Sequence, residues 1–363
     1  MKIGIFTFFQ TNYGAVLQAY ALQHYLEQQD GVEVEIVDFT TPEHLKAHKV
    51  FQKPDGRNPL RWLKYYWRSL TLYSQLKRRV KRTWDFKSRY YHFTRRYSSM
   101  QEVLNNPPKE DIYITGSDQV FNPRSPYMPV YYLGFDKGTA RKVAYAPSFG
   151  ISEFSEDLTQ NISLYIDDFD LLSCRESAGA EYLTALTGKE VPVVLDPVFL
   201  HDAEEWGKVA AAPDVKGDYI FIYDLMGQNN LVSLAKRIKQ QTKLPIVCLT
   251  GNRYNKYDVD RQVYNAGPAE FIGWIKNASY IVTDSFHGTV FSLIFRRQFY
   301  TFIANEKTSS RIKNILGQMG LLDRIVTKET IGLNDFTRPN YTEDNHLAEL
   351  VNNSKSYIQR MIS

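Results

Sequence analysis

Cysteine is scarce in this chain of 363 residues, where Cys174 and Cys248 are the only two. Both lie in apolar, strand-like runs, which argues against a disulfide framework or a thiolate zinc cage and suits a reducing cytoplasm. Long hydrophobic runs are missing as well. None approaches the roughly 20 apolar residues of a membrane-spanning helix. The apolar opening from Ile3 to Phe9 is too short for a signal-peptide core before Gln10, Asn12 and Gly14 interrupt it. Neither G-x-G-x-x-G nor G-x-x-x-x-G-K-[ST] occurs, so neither a dinucleotide nor a P-loop site is supported. There is no low-complexity tract. What is present is a 43% hydrophobic composition with a net charge of +4, the profile of a soluble globular protein long enough for two domains.

Strands and helices alternate along the chain. Ile3–Phe8 reads as a strand. A loop over 10–14 follows, and Leu17, Ala21, Leu22, Tyr25 and Leu26 fall on one face of a helix over about 15–29. Asn12, Tyr13 and Gln18 are placed to hydrogen-bond a hydroxylated ligand at the strand's end, although Asn-Tyr-Gly is also ordinary turn chemistry. A strand over 111–115 ends in Gly116-Ser117-Asp118-Gln119. That puts a carboxylate and an amide in a loop, suited to gripping sugar hydroxyls or accepting a hydroxyl proton; Asp118 is equally suited to capping a helix. Arg175 stands where the run from Leu171 stops, ready for a bidentate carboxylate or phosphate or for a salt bridge to Glu176 or another neighbouring acid. Asp168-Phe169-Asp170 matches the D-x-D of some metal-using sugar transferases, but two carboxylates alone are a weak basis for a metal.

Val191–Asp196 reads as the last strand of the first half, with prolines marking a boundary. The alternation then restarts, with strands at Tyr219–Asp224, Ile246–Thr250, Ser279–Val282 and Gln298–Ile303. The most informative stretch is Thr283-Asp284-Ser285-Phe286-His287-Gly288-Thr289, between a buried strand and a short apolar helix. Such a turn lies at the carboxyl ends of parallel strands, where ligands bind and a helix start attracts anions. His287 there can donate a proton or hold a phosphate, and Gly288 admits a ligand close to the backbone. In the alternative reading Asp284 or Ser285 caps the helix and His287 packs. Lys307 and Arg311, with Thr308 to Ser310 between them, precede a further helix and form a second anion candidate.

One segment differs from the rest. Residues 61–97 hold 12 Lys or Arg against one acid, together with 11 aromatics, a net charge of +11 that leaves −7 on the remainder. A basic, aromatic, helical insertion of this kind suits peripheral contact with an anionic membrane face. Its other reading is a solvated helical insertion packed on the first domain. No groove-reading motif accompanies it, so nucleic acid is not expected as a partner.

Taken together, Asn12-Tyr13-Gly14-Ala15-Val16-Leu17-Gln18, Gly116-Ser117-Asp118-Gln119, Cys174-Arg175-Glu176-Ser177, Leu195-Asp196-Pro197, the 283–289 stretch and Ser310-Arg311-Ile312 resemble, in that order, the polysaccharide pyruvyl transferase family. The resemblance implies an α/β fold of two Rossmann-like doubly wound domains facing a cleft, the GT-B-like arrangement. The expected boundaries are 1–198 for the acceptor side, with the basic insertion at about 45–100, 199–340 for the donor side, and a C-terminal helix over 341–363. It also implies transfer of the enolpyruvyl group of phosphoenolpyruvate onto two hydroxyls of a sugar in a polysaccharide or lipid-linked glycan precursor. No metal or other cofactor is called for.

In that scheme His287 is the acid or a phosphate ligand, and Arg175, Lys307 and Arg311 clamp the anions beside Ser285 and Gly288. Asp118 receives the acceptor with Asn12, Tyr13, Gln18 and Gln119. Some members carry Arg-Leu before the His-Gly where this chain has Ser285-Phe286, which leaves Arg311 or Lys307 to supply the missing cation. A nucleotide-sugar glycosyltransferase and a non-catalytic glycan-binding homologue are the competing expectations.

Overall fold

Lys2–Phe6 (β1) reads Lys-Ile-Gly-Ile-Phe, and every residue after Lys2 is buried, so the strand lies covered on both faces, as parallel sheets require. In the computed structural model, which describes residues 1–363 apart from 11, 48, 52–58, 137, 152, 252–255, 305–309, 331–335, 337–340, 342 and 343, β1 pairs in parallel with Glu33–Ile36 (β2) and Ile112–Thr115 (β3). Arg141–Ala144 (β4) completes a sheet of order β2-β1-β3-β4. The expected strands near Leu171 and Val193 appear only as isolated bridges, Val143 to Leu171 and Cys174 to Val193. Pro192 and Pro197 lack the N–H groups a longer ladder would use.

The helix Tyr13–Glu27 is buried nearly all round and is capped by Asn12, whose side chain accepts from the Gly14 N–H. These elements belong to the first of two compact units, formed by Met1–Lys46, Arg89–His201 and Asp344–Ser363. The terminal helix Asp344–Ile362, expected as a separate C-terminal piece, is thus part of this unit. The Leu195 N–H donates to Ser354 Oγ at 2.9 Å and the Tyr357 hydroxyl to the Ala144 carbonyl at 3.0 Å.

The second unit comprises Ala47–Ser88 and Asp202–Glu343. Its strands are Ile220–Asp224 (β5), Ile246–Thr250 (β6), Arg261–Val263 (β7), Tyr280–Thr283 (β8), Gln298–Phe302 (β9) and Ile325–Val326 (β10). They run in the order β10-β9-β8-β5-β6-β7, with every neighbouring pair parallel. The basic stretch forms the helices Pro59–Thr71 and Tyr73–Tyr90. In sequence it interrupts the first unit, but its residues up to Ser88 fold with the second. Arg82 ion-pairs with Glu270 at 3.0 Å and donates to the Asn265 carbonyl at 2.8 Å. Arg68 donates to the Tyr264 hydroxyl at 3.0 Å, and Leu72, Leu76 and Tyr264 share a small buried cluster. Among the described residues no helix is long and apolar enough to cross a membrane.

Each sheet contains one place where the chain reverses its direction of winding: between β1 and β3 in the first unit and between β5 and β8 in the second. Crevices for ligands open at the carboxyl ends of the strands at such points. The loop after β3 is built tightly. Gly116 has φ of +121°, and a Cβ on it would lie 2.0 Å from the Tyr145 carbonyl oxygen, so no side chain fits. Gly116→Ala is predicted to cost about 3 kcal/mol, the upper end for overpacking, read as a lower urea midpoint at unchanged m-value.

Candidate functional site

The helix Phe286–Ile294 starts two residues beyond β8, and Ser285 is its N-cap, its hydroxyl accepting from the Gly288 N–H at 3.3 Å. Thr283 fixes the turn from below: its hydroxyl donates to the Tyr223 carbonyl at 2.9 Å and accepts from the Ser285 N–H at 3.1 Å. A Cβ at position 288 would stand 2.5 Å from that same Thr283 Oγ1, so Gly288 is demanded by packing against the strand end. Asp284, one of two residues expected to cap the helix, does something else. Its carboxylate accepts from the Leu225 N–H at 2.8 Å and the Met226 N–H at 3.0 Å, stapling the loop that leaves β5. His287 is buried, edge-on to Phe286 with ring centroids 5.2 Å apart. The Arg311 guanidinium lies 5.8 Å from the Phe286 centroid. The structure therefore brings Ser285, His287, Gly288 and Arg311 into one neighbourhood, while Lys307 lies outside the described residues.

A second carboxylate borders the same crevice. Asp224 ends β5, is buried, and accepts from the Gly227 and Gln228 N–H groups at 2.7 and 3.0 Å. The hydroxyls of Thr250 and Tyr257 also donate to it, at 2.9 and 2.6 Å. Burial raises Asp284 from the usual 3.8 to about 6; negative Asp224 adds to the rise, and the two backbone N–H donors oppose it. A carboxyl raised on folding contributes stability that is complete below its unfolded value and is lost as pH climbs through its folded value. The stability of the wild type relative to Asp284→Asn is predicted to fall by about 2 kcal/mol between pH 4 and pH 7, measured as urea unfolding across that range.

In the first unit the centre is Arg175. Its Nη1 donates to Asp196 Oδ2 at 2.6 Å, Nε lies 3.4 Å from Glu176 Oε1, and Nη2 lies 3.8 Å from Asp118 Oδ1. Burial works against its charge, but the three carboxylates outweigh burial and hold the guanidinium protonated more firmly than usual. Arg175, expected to clamp a substrate anion, directs its Nη1 and Nε at carboxylates of its own unit and fixes their directions. Of the three, Asp118 is the most accessible, its side chain 15% exposed against 9% for Glu176 and 0% for Asp196. Asp118 also caps the short turn Gln119–Phe121, its Oδ1 accepting from the Gln119 N–H at 2.9 Å. Gln119 itself is half-buried beside Gly150.

The other first-unit expectations fare differently. Gln18 is fully buried. Its amide donates to Thr7 Oγ1 and to the Phe8 and Ala15 carbonyls, and its Oε1 accepts from the Ser117 N–H at 3.1 Å. It ties the end of β1 to the β3 loop. Tyr13 is buried at 2% exposed, whereas Asn12 is exposed at the helix cap. The D-x-D carboxylates serve Lys142: Asp170 accepts its backbone N–H at 2.8 Å and Asp168 pairs with its buried Nζ. Among the described residues no group of three or more His, Cys, Asp or Glu is placed to hold a metal.

Asp224 was not singled out from the sequence, and Asp196 entered only within the Leu195-Asp196-Pro197 motif. Their signal was present, since each is an acid that ends an apolar run, Val193-Val194-Leu195 in one case and Ile220-Phe221-Ile222-Tyr223 in the other. A charge in that position needs several donors to be tolerated. Arg175→Met is predicted to destabilise the protein by about 3–5 kcal/mol by stranding the buried carboxylates. Thermal unfolding of the variant beside the wild type checks the loss.

Two parallel α/β units, each with polar loops at its winding reversal, define a protein of GT-B-like fold. Solved structures agree on that fold. The S. aureus MnaA-UDP co-structure superposes with a TM-score of 0.52 at 12% identity, covering 97% of this chain and 90% of its own. UDP-N-acetylglucosamine 2-epimerase from Rickettsia bellii gives 0.52 at 12%, covering 100% and 96%. The Neisseria meningitidis UDP-GlcNAc 2-epimerase bound to UDP-GlcNAc gives 0.51 at 9%, covering 100% and 99%. No curated protein matched the sequence. The family is settled by sequence: the profile described as polysaccharide pyruvyl transferase matches residues 12–306, and the chain belongs to that family.

Proposed function

We propose that this transferase moves the enolpyruvyl group of phosphoenolpyruvate onto two hydroxyls of one sugar in a polysaccharide or lipid-linked glycan precursor. The products are a cyclic pyruvate ketal and inorganic phosphate. The observation that carries this reading is the grouping at the β8 end, where a helix start, the His287 imidazole and the Arg311 guanidinium on Phe286 come together in a chain of the pyruvyl transferase family. An anionic donor needs a cation and a helix amino end to receive it, and an enol ether needs an acid to protonate its methylene carbon.

In the proposed reaction His287, as imidazolium, protonates that carbon, and positive charge develops at the carbon bearing the phosphate ester. The first hydroxyl bonds to that carbon as a general base takes its proton, phosphate leaves, and the second hydroxyl closes the ketal. Of the two hydroxyl protons, one is balanced by the new methyl group and the other leaves with phosphate. Arg311 and the helix start offset the phosphate's charge. The site lies in a cytoplasmic protein in this reading, consistent with a donor made inside the cell.

Incubation of the purified protein with phosphoenolpyruvate and a panel of free and lipid-linked glycosides tests the reading. Phosphate release is expected only with an acceptor, accompanied by the acceptor's ketal mass gain. His287→Ala and Asp118→Asn, the latter at the proposed acceptor-side base, are each expected to lower the rate by about a hundredfold or more. If a nucleotide sugar raises the melting temperature and phosphoenolpyruvate does not, the reading gives way to a glycosyltransferase.

A further inference from the structure

The helix Pro59–Thr71 faces solvent with the wrong side for an ordinary surface helix. Its inward face carries Tyr65 and Ser69, both buried, and passes into buried Leu72. Its outward face is apolar as well: Leu63 is 69% exposed, Trp67 66%, Leu70 63% and Tyr66 42%, with Leu60 at the start of the same stripe. Positions 60, 63, 67 and 70 recur at helical spacing, so these side chains form one continuous strip. A surface helix normally turns its one apolar stripe inward. A second, outward stripe of leucines and tryptophan marks an interaction face.

The charges around the strip say what kind of face it is. Lys64 is exposed on the same helix, and Lys77, Arg78 and Lys81 are exposed on the helix Tyr73–Tyr90 that follows at once. Asp85 is the one acid of the basic stretch, and it pairs with Lys81 at 2.6 Å. Arg68 and Arg82 are drawn inward to Tyr264 and Glu270, while Lys64, Lys77 and Arg78 are exposed.

We propose that this strip docks on an anionic lipid bilayer, with Leu63, Trp67 and Leu70 entering the headgroup boundary and Lys64, Lys77 and Arg78 contacting lipid phosphates. Leucine and tryptophan beside lysine is the composition of an interfacial helix. A nucleic acid would engage the cations and leave the leucines wet. A second copy, paired through the same strip, would set Lys64, Lys77 and Arg78 against their own counterparts. The inference is independent of the reaction proposed above.

Flotation of the full chain with vesicles of phosphatidylcholine plus phosphatidylglycerol, and with phosphatidylcholine alone, tests it. Binding is expected to the anionic vesicles, weakening as salt rises. The variant Leu63→Glu/Trp67→Glu/Leu70→Glu is expected to stay unbound, and Lys64→Glu/Lys77→Glu/Arg78→Glu to partition about a hundredfold more weakly. All six side chains are exposed, so both variants should keep the wild-type unfolding midpoint. In wild-type protein a blue shift of tryptophan emission on adding anionic vesicles, lost in Trp67→Phe, is the second readout. The proposal is overturned if the wild type ignores anionic vesicles, or if the triple-glutamate variant of the strip binds them as well as the wild type does. It is equally overturned if light scattering shows a dimer that the strip variant breaks while no vesicle binds.

Discussion

A parallel strand has to be covered on both faces, and most of the chemistry of this chain follows from that requirement. β1, β3, β5, β6 and β8 are apolar almost throughout, so they cannot carry polar groups except where they end. All neighbouring strands in each sheet run the same way, and the ends that carry polar residues therefore lie along one edge of the sheet. The winding reversal then selects which two loops diverge and leave room between them. Thr7, Gln18, Ser117 and Asp118 gather at one reversal, and Asp224, Asp284, Ser285 and His287 at the other, because the strand order leaves them no other place.

The two reversals handle buried charge in opposite ways. In the first unit one guanidinium faces Asp118, Glu176 and Asp196, and the Arg175 fork fixes their directions. In the second, Asp224 and Asp284 meet hydroxyls and backbone N–H groups, and burial raises Asp284 to about 6. The first arrangement fixes the direction in which the Asp118 carboxylate points. The second gives a carboxyl whose charge changes near neutral pH, and whose two acceptor bonds hold the β5 loop beside the helix that starts at Phe286. Loss of a proton from Asp284 therefore alters the field at that helix start without moving a strand.

Much of this could be read before the structure. The strand–turn–helix at 279–295, the loop after Thr115 and the α/β alternation of both halves follow from apolar runs cut by polar turns, and local pattern is enough to see them. What local pattern does not hold is the partner of each polar side chain. Gln18, Tyr13 and Arg175 have the composition of ligand contacts, yet Gln18 bonds to Ser117 across 99 residues and Arg175 to Asp196 across 21. Only the folded topology brings those pairs together. The basic stretch shows the same limit. Its helices were legible from composition, but its attachment to Tyr264, Asn265 and Glu270 depends on contacts nearly 200 residues away in sequence.

The Ser285-Phe286 pair, where some relatives carry Arg-Leu, shows how a chain can keep a charge at a site while losing it from a motif. Ser285 takes the N-cap, a position where a serine satisfies a backbone N–H that arginine cannot. Phe286 offers a flat ring, and a guanidinium is drawn to the face of such a ring. Arg311, from the start of another helix, lies over it at 5.8 Å, so positive charge stands one ring away from His287 although none remains in the 283–289 stretch. The arrangement couples two elements that the motif form would not. The cation's position now depends on the Phe286 ring and on the helix Ser310–Gln318, and any change that tilts that helix moves the charge relative to His287.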